Sequence, residues 1–171
     1  MTPEEFKSEV LPVKNKLYRF ALRMLGDAEE AQDVVQEIFL RLWSKKEQLG
    51  EYRNLEAFSM TMTRNLCIDK LKSPSAKQKL FDETTEMPDE RTPYAKAELS
   101  DTLKIVRQVM DSLPEQQKMV MQLRDIEDCD FDEIAEITGL SMNNIRVILS
   151  RARKKIRDTL IKIHNYEFSK N

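Results

Sequence analysis

Apolar residues recur at helical spacing through most of this chain, and caps and stops divide them into discrete helices. Thr2-Pro3-Glu4-Glu5 supplies an N-cap, a first-turn proline and a capping-box glutamate. After Pro12, the residues Val13, Leu17, Phe20, Ala21, Met24 and Leu25 share one helical face, and Gly26 stops that helix. Asp27 to Glu30 reads as the capping box of a helix that buries Ala31, Val34, Val35, Ile38 and Leu42 and ends before Gly50. A further helix begins near Asn54, carries Leu55, Phe58, Met62 and Leu66, and is ended by Ser73-Pro74. From Ser73 to Ala97 the periodicity lapses. Pro74, Pro88 and Pro93 stand there among acidic residues, a composition with little power to form a core. Helical spacing resumes with Leu99, Leu103, Val106, Met110 and Leu113, Pro114 opens another helix, and Asp130-Phe131-Asp132-Glu133 caps the next. Neither a strand nor an internal repeat is visible. The pattern predicts an all-α protein of two small helical bundles joined by a flexible linker.

Composition narrows the function classes. The 171 residues are 40% hydrophobic and 34% charged, with 3 Gly and 6 Pro. That is too little glycine for a phosphate-cradling loop or a turn-rich sandwich. The longest uncharged stretch, Ile137 to Ile145, falls far short of the roughly 20 apolar residues of a membrane span. Charges at Glu4, Glu5, Lys7 and Glu9 stand where a signal peptide would carry its apolar segment. Cys67 and Cys129 lie in no metal-like spacing, and His164 is the one histidine. The expectations are a cytoplasmic protein with no membrane insertion, no metal, no cofactor and no catalytic set.

The net charge of −2 hides strong segregation. Ser141 to Asn171 holds eight bases against two acids, whereas Asp125 to Glu136 holds seven acids and no base. A phosphate backbone feels the local block rather than the average. Within that region a short helix bearing Ile134 and Ala135 runs into Gly139-Leu140, and Ser141 caps a second helix. Ile145, Ile148, Leu149, Ala152 and Ile156 lie on one face of it. The offsets from Ala135 to Gly139, Ile145 and Ile148 are four, ten and thirteen. They place a small residue at a helix crossing, a glycine in the turn and branched anchors on the second helix, as a helix-turn-helix requires. The opposite face carries Asn143, Arg146, Val147, Ser150, Lys154 and Arg157. Amides and a guanidinium near a helix start suit base edges, and cations further along suit phosphates.

Two other features are less decisive. The helix after Ala28 carries Asp33, Gln36, Glu37 and Leu40 opposite its apolar stripe. A leucine ringed by acids fits a protein contact, but a single exposed leucine is also ordinary, and the residues leave both readings open. The polar loop Tyr52-Arg53-Asn54, with Arg64, Asn65, Lys70 and Lys72 behind it, combines aromatic, amide and basic groups of the kind that hold a single strand. Phe58, in the same stretch, reads as core.

These blocks, in order, resemble those of bacterial RNA polymerase sigma factors of the extracytoplasmic-function (ECF) class. The run Asp27-Ala28-Glu29-Glu30-Ala31-Gln32-Asp33 through Trp43 resembles the polymerase-binding helix of sigma region two. Ala57-Phe58 through Arg64-Asn65-Leu66-Cys67-Ile68-Asp69-Lys70 resembles its strand-opening helix. Leu113-Pro114-Glu115-Gln116-Gln117 resembles the opening of region four, and Ser150-Arg151-Ala152-Arg153-Lys154-Lys155-Ile156-Arg157 the end of its recognition helix.

The resemblance implies region two at 1–72, binding the polymerase clamp and the minus-ten element, a linker at 73–97, and region four at 98–171, binding the minus-thirty-five duplex and the polymerase flap. It implies core RNA polymerase and promoter DNA as partners, an anti-sigma protein as a further candidate, and no sigma region three. It extends the duplex-contact set to Asn144, Arg151 and Arg153. Asn144-Ile145-Arg146-Val147-Ile148 departs from the frequent Thr-Val-Lys-Ser-Arg of the family, so the preferred promoter sequence does not carry over. The competing function is a stand-alone helix-turn-helix regulator of duplex operators, which would have no use for the Asp33, Gln36, Leu40 face.

Overall fold

A computed structural model describes residues 2–73 and 101–170, with side chains as far as Tyr166. The proposed linker, apart from Ser73, lies outside the described residues. The N-terminal bundle comprises α1 (Pro3–Val10), a 3-10 turn (Leu11–Val13), α2 (Lys14–Leu25), α3 (Ala28–Ser44), a second 3-10 turn (Leu49–Glu51) and α4 (Leu55–Lys72). The C-terminal bundle comprises α5 (Asp101–Ser112), α6 (Glu115–Met121), one widened turn of π geometry (Gln122–Ile126), α7 (Phe131–Thr138) and α8 (Met142–Lys170). Among the described residues there is no strand.

The sequence punctuation acts as expected. Thr2 and Asp130 each form a reciprocal capping box with the glutamate three residues on. At the expected Asp27–Glu30 box the N-cap half is present, Asp27 accepting hydrogen bonds from the backbone N–H groups of Glu29 and Glu30. Gly26 and Gly139 end α2 and α7 at φ 67° and 74°, a left-handed conformation that costs glycine little. Ala31, Val34, Val35, Ile38 and Leu42 are all buried on α3.

Two expectations change. Leu103, read as part of the α5 stripe, is exposed. On α4, the residues Leu55, Phe58, Met62 and Leu66 are only half-buried, and the inner face is Ala57, Ser59, Met60, Thr63 and Cys67. The cause is that α4 is covered on two sides. It packs on α2 and α3 of its own bundle and on α7 of the other. Its buried hydroxyls are satisfied within the helix, Ser59 donating to the Leu55 carbonyl and Thr63 to that of Ser59, both at 2.8 Å. The two bundles are therefore not separate beads. Leu17 and Phe20 of α2 belong to the same buried cluster as Met119, Val120 and Leu123.

Candidate partner and nucleic-acid interfaces

On the N-terminal bundle, α3 contributes to an open groove of about 840 Å³ between itself, α1 and α2. Gln36 and Leu40 line it, together with Leu11, Tyr18, Phe39 and Trp43. Leu40 is 66% exposed, and Leu11 and Trp43 are also open to solvent. Trp43 is held edge-on to Phe6 at 5.0 Å and covered by the Lys46 ammonium at 4.1 Å. An apolar floor with polar edges is the form of a protein-binding groove. The sequence reading found Leu40 but missed Leu11 and Trp43, which reach the groove from other turns. Asp33 and Glu37 are exposed on the same helix outside the groove lining, and Glu37 pairs with Arg41 at 3.0 Å.

The proposed strand-binding residues run the length of α4, about 25 Å from Asn54 to Lys72. Tyr52 stacks on Phe58 with centroids 4.1 Å apart and rings 17° from parallel, so Phe58 forms a half-buried platform rather than full core. Asn54 is the N-cap of α4. Its oxygen accepts from the Ala57 N–H at 2.9 Å, and its nitrogen donates to Glu133 of the other bundle at 3.4 Å. Arg53 is exposed and Lys70 half-buried. Arg64, Asn65 and Lys72 face a cleft of about 520 Å³ whose far wall is Glu115, Gln116, Met119 and Leu140. Arg64 donates to Asn65 at 2.9 Å, while its buried Nε has no partner among the described residues.

This seam between the bundles carries a polar network that nothing in the sequence advertised. Arg19 donates from Nε and Nη2 to Glu127 at 2.6 and 2.7 Å. The Glu127 side chain is 1% exposed, and its hydrogen bond raises the Arg19 pKa. Arg23 donates to Gln122 at 3.1 Å and pairs with Asp111. Single charges on α2 give no hint of partners a hundred residues away.

On the C-terminal bundle, Ser141 accepts from the Asn144 N–H at 3.2 Å, capping the second helix of the motif as its sequence predicts. Ile145, Leu149 and Ala152 are buried beneath it. Asn143, Asn144, Arg146, Val147, Ser150, Arg151, Lys154 and Arg157 are exposed. Arg153 is exposed but engaged, donating two hydrogen bonds to Asp125 at 2.5 and 3.1 Å, and Lys154 pairs with Asp158 at 3.1 Å. A phosphate would have to compete with those carboxylates. Behind α8 lies a second apolar groove of about 590 Å³ among Met110, Met121, Ile126, Ile156, Leu160 and Ile161. The sequence reading did not identify it.

Nucleophilic chemistry has no support at the cysteines. Burial pushes the Cys67 thiol up to about 12 and the Cys129 thiol up to about 11, so neither forms a thiolate readily. Among the described residues no group of His, Cys, Asp and Glu could hold a metal, and no helix is long and apolar enough to cross a membrane.

Two helical modules, one with an exposed apolar groove and one with a helix-turn-helix, match known families. Residues 10–76 match sigma-70 region 2, and residues 103–156 match sigma-70, region 4. The ECF RNA polymerase sigma factor SigL of Mycobacterium tuberculosis is 30% identical over 146 residues, covering 84% of this chain and 82% of that protein. The RNA polymerase sigma factor SigV of Bacillus subtilis is 29% identical over 151 residues, 87% of each. The fold is also that of the sigma factor RpoE of Bartonella quintana, solved in complex with the anti-sigma factor NepR, with a TM-score of 0.76 and 24% identity over 92% of this chain and 97% of that one. The chain belongs to the ECF RNA polymerase sigma factors. It binds core RNA polymerase and promoter DNA and directs promoter-specific initiation. The stand-alone regulator is not favoured, since both regions match.

Proposed function

We propose a division of labour among the surfaces described above, acting in the cytoplasm and without any catalysis by this chain. The α3 groove around Leu40 takes the polymerase clamp, with Asp33, Gln36 and Glu37 at its margin. Tyr52, Arg53 and Asn54, continued by Arg64, Asn65, Lys70 and Lys72, take the opened strand of the minus-ten element. Asn143, Asn144, Arg146, Val147 and Ser150 read the minus-thirty-five duplex, and Arg151, Arg153, Lys154 and Arg157 hold its phosphates. The groove behind α8 suits the apolar segment of the polymerase flap. An anti-sigma protein, such as the one bound to the Bartonella relative, would compete for these grooves. The observation that carries this reading is the exposed face of α8, where one long cation, Arg146, stands among short polar groups at the end of the helix that normally enters a major groove. Strand loading also needs the seam to open, because Asn54 and Arg64 face the C-terminal bundle.

Two substitutions should separate base reading from phosphate holding. Arg146→Ala flattens the base preference at one or two upstream positions, since a bidentate guanine contact is worth about 1–3 kcal/mol of discrimination. Lys154→Ala weakens every sequence alike and reduces the salt slope by about one unit. Selection on a randomised duplex element with holoenzyme measures both. An unchanged preference for Arg146→Ala would contradict the assignment.

A further inference from the structure

We propose that Phe131 is a positioning residue for promoter specificity, whose ring aims Arg146 at the bases read by the recognition helix. The proposal rests on the base-contact role given to Arg146 above and adds to it a residue outside that helix.

An exposed arginine sweeps a wide arc, whereas a bidentate contact to guanine needs the planar guanidinium in one orientation. Arg146 has no ion pair among the described residues to narrow that arc. It has an aromatic face instead, with its Cζ 5.8 Å from the Phe131 ring centroid. The ring is well fixed. Phe131 is the first residue of α7, directly behind Asp130, whose side chain accepts from the Glu133 N–H at 2.8 Å while the Glu133 carboxylate accepts from the Asp130 N–H at 3.3 Å. Phe131 is partly buried and packs against the shared core. Asp128, at φ 57°, turns the chain just ahead of it.

A second guanidinium uses the same ring. The Cζ of Arg124 lies 5.0 Å from the Phe131 centroid, and its Nη1 donates to the Cys129 carbonyl at 2.9 Å. One ring thus gathers two cations, and neither has a carboxylate partner among the described residues. Two like charges gathered on one ring favour an anion nearby, which a DNA backbone supplies. Arg124 is tethered to the backbone and serves as a fixed charge. Arg146 makes no hydrogen bond at its tip among the described residues and reaches outward from α8.

The test uses the full chain assembled with core polymerase and a promoter library randomised across the upstream duplex element. Phe131→Met fills the space without a π face. It should weaken the base preference about two- to fivefold at the positions Arg146 controls, the loss of one exposed cation–π contact. Phe131→Trp should keep that preference. In the Arg146→Ala background, Phe131→Met should change nothing more at those positions. Unchanged preference in Phe131→Met, or an equal loss at every position, would overturn the proposal and leave the ring a packing residue. Unchanged preference in Arg146→Ala would overturn the base-contact reading itself, and this proposal with it. Because Phe131 touches the core, the wild-type chain supplies a second measurement. The Arg146 Nε–H resonance should be shifted by the ring current, a shift lost in Phe131→Met and kept in Phe131→Trp; a random-coil shift in the wild-type chain would equally overturn the proposal.

Discussion

Alanine at position 19 should lower the stability of the packed molecule by about 3 kcal/mol. Arg19 supplies two hydrogen bonds to the Glu127 carboxylate, which is 1% exposed. Without it, the Glu127 carboxylate keeps a long hydrogen bond from the Gln122 side chain, at 3.4 Å. Stranding a buried carboxylate typically costs about 3–5 kcal/mol, and the half-exposed arginine places this case at the lower end, because water reaches the pair from one side. For a chain of this size that corresponds to a melting temperature lower by about 6–12 °C. Scanning calorimetry measures it, and small-angle scattering should report a larger radius as the bundles separate. Glu127→Gln should cost less, since it leaves no charge buried. An unaltered melting temperature for Arg19→Ala would mean that the apolar part of the seam holds the bundles alone.

The second large effect is expected at the N-terminal groove. Leu40 is 66% exposed, so its truncation should leave helicity and melting unchanged. If it anchors the clamp, Leu40→Ala removes a central apolar contact worth about 2 kcal/mol, or about 30-fold in affinity for core polymerase. Asp33→Ala should weaken binding less, because an exposed charge at the rim contributes mainly to the association rate. Equilibrium binding of labelled chain to core polymerase distinguishes these outcomes. Wild-type affinity for Leu40→Ala would remove the groove from the polymerase interface.

What the sequence made legible follows from where each residue gets its partners. Helix ends were readable at Thr2, Gly26, Asp130 and Gly139 because caps and left-handed glycines act within a few residues. The α3 stripe was readable because that helix buries one face and leaves the other to solvent. The inner face of α4 was not, because two bundles cover it, and Ser59 and Thr63 are buried there with their hydroxyls turned back on the helix. Periodicity cannot describe a helix with two packed sides. The Arg19–Glu127 pair joins residues 108 apart, and no local pattern encodes it. The same holds for the grooves. Leu40 stood out as an apolar residue among acids, but Leu11 and Trp43 become its neighbours only through tertiary packing. The recognition helix was legible for the opposite reason, since its cap, turn, anchors and cations all lie within about thirty residues.

Transcription in a defined system shows whether the chain confers promoter specificity on polymerase through both bundles. Core polymerase is supplied with genomic DNA, with and without this chain, and the RNA start sites are sequenced. New start sites should appear only when the chain is present, sharing one upstream duplex element and one melted element. Those sites should be lost with Leu40→Ala at limiting concentration and redistributed with Arg146→Ala. A chain that instead binds a duplex operator tightly by itself and adds no start site to core polymerase would contradict this role.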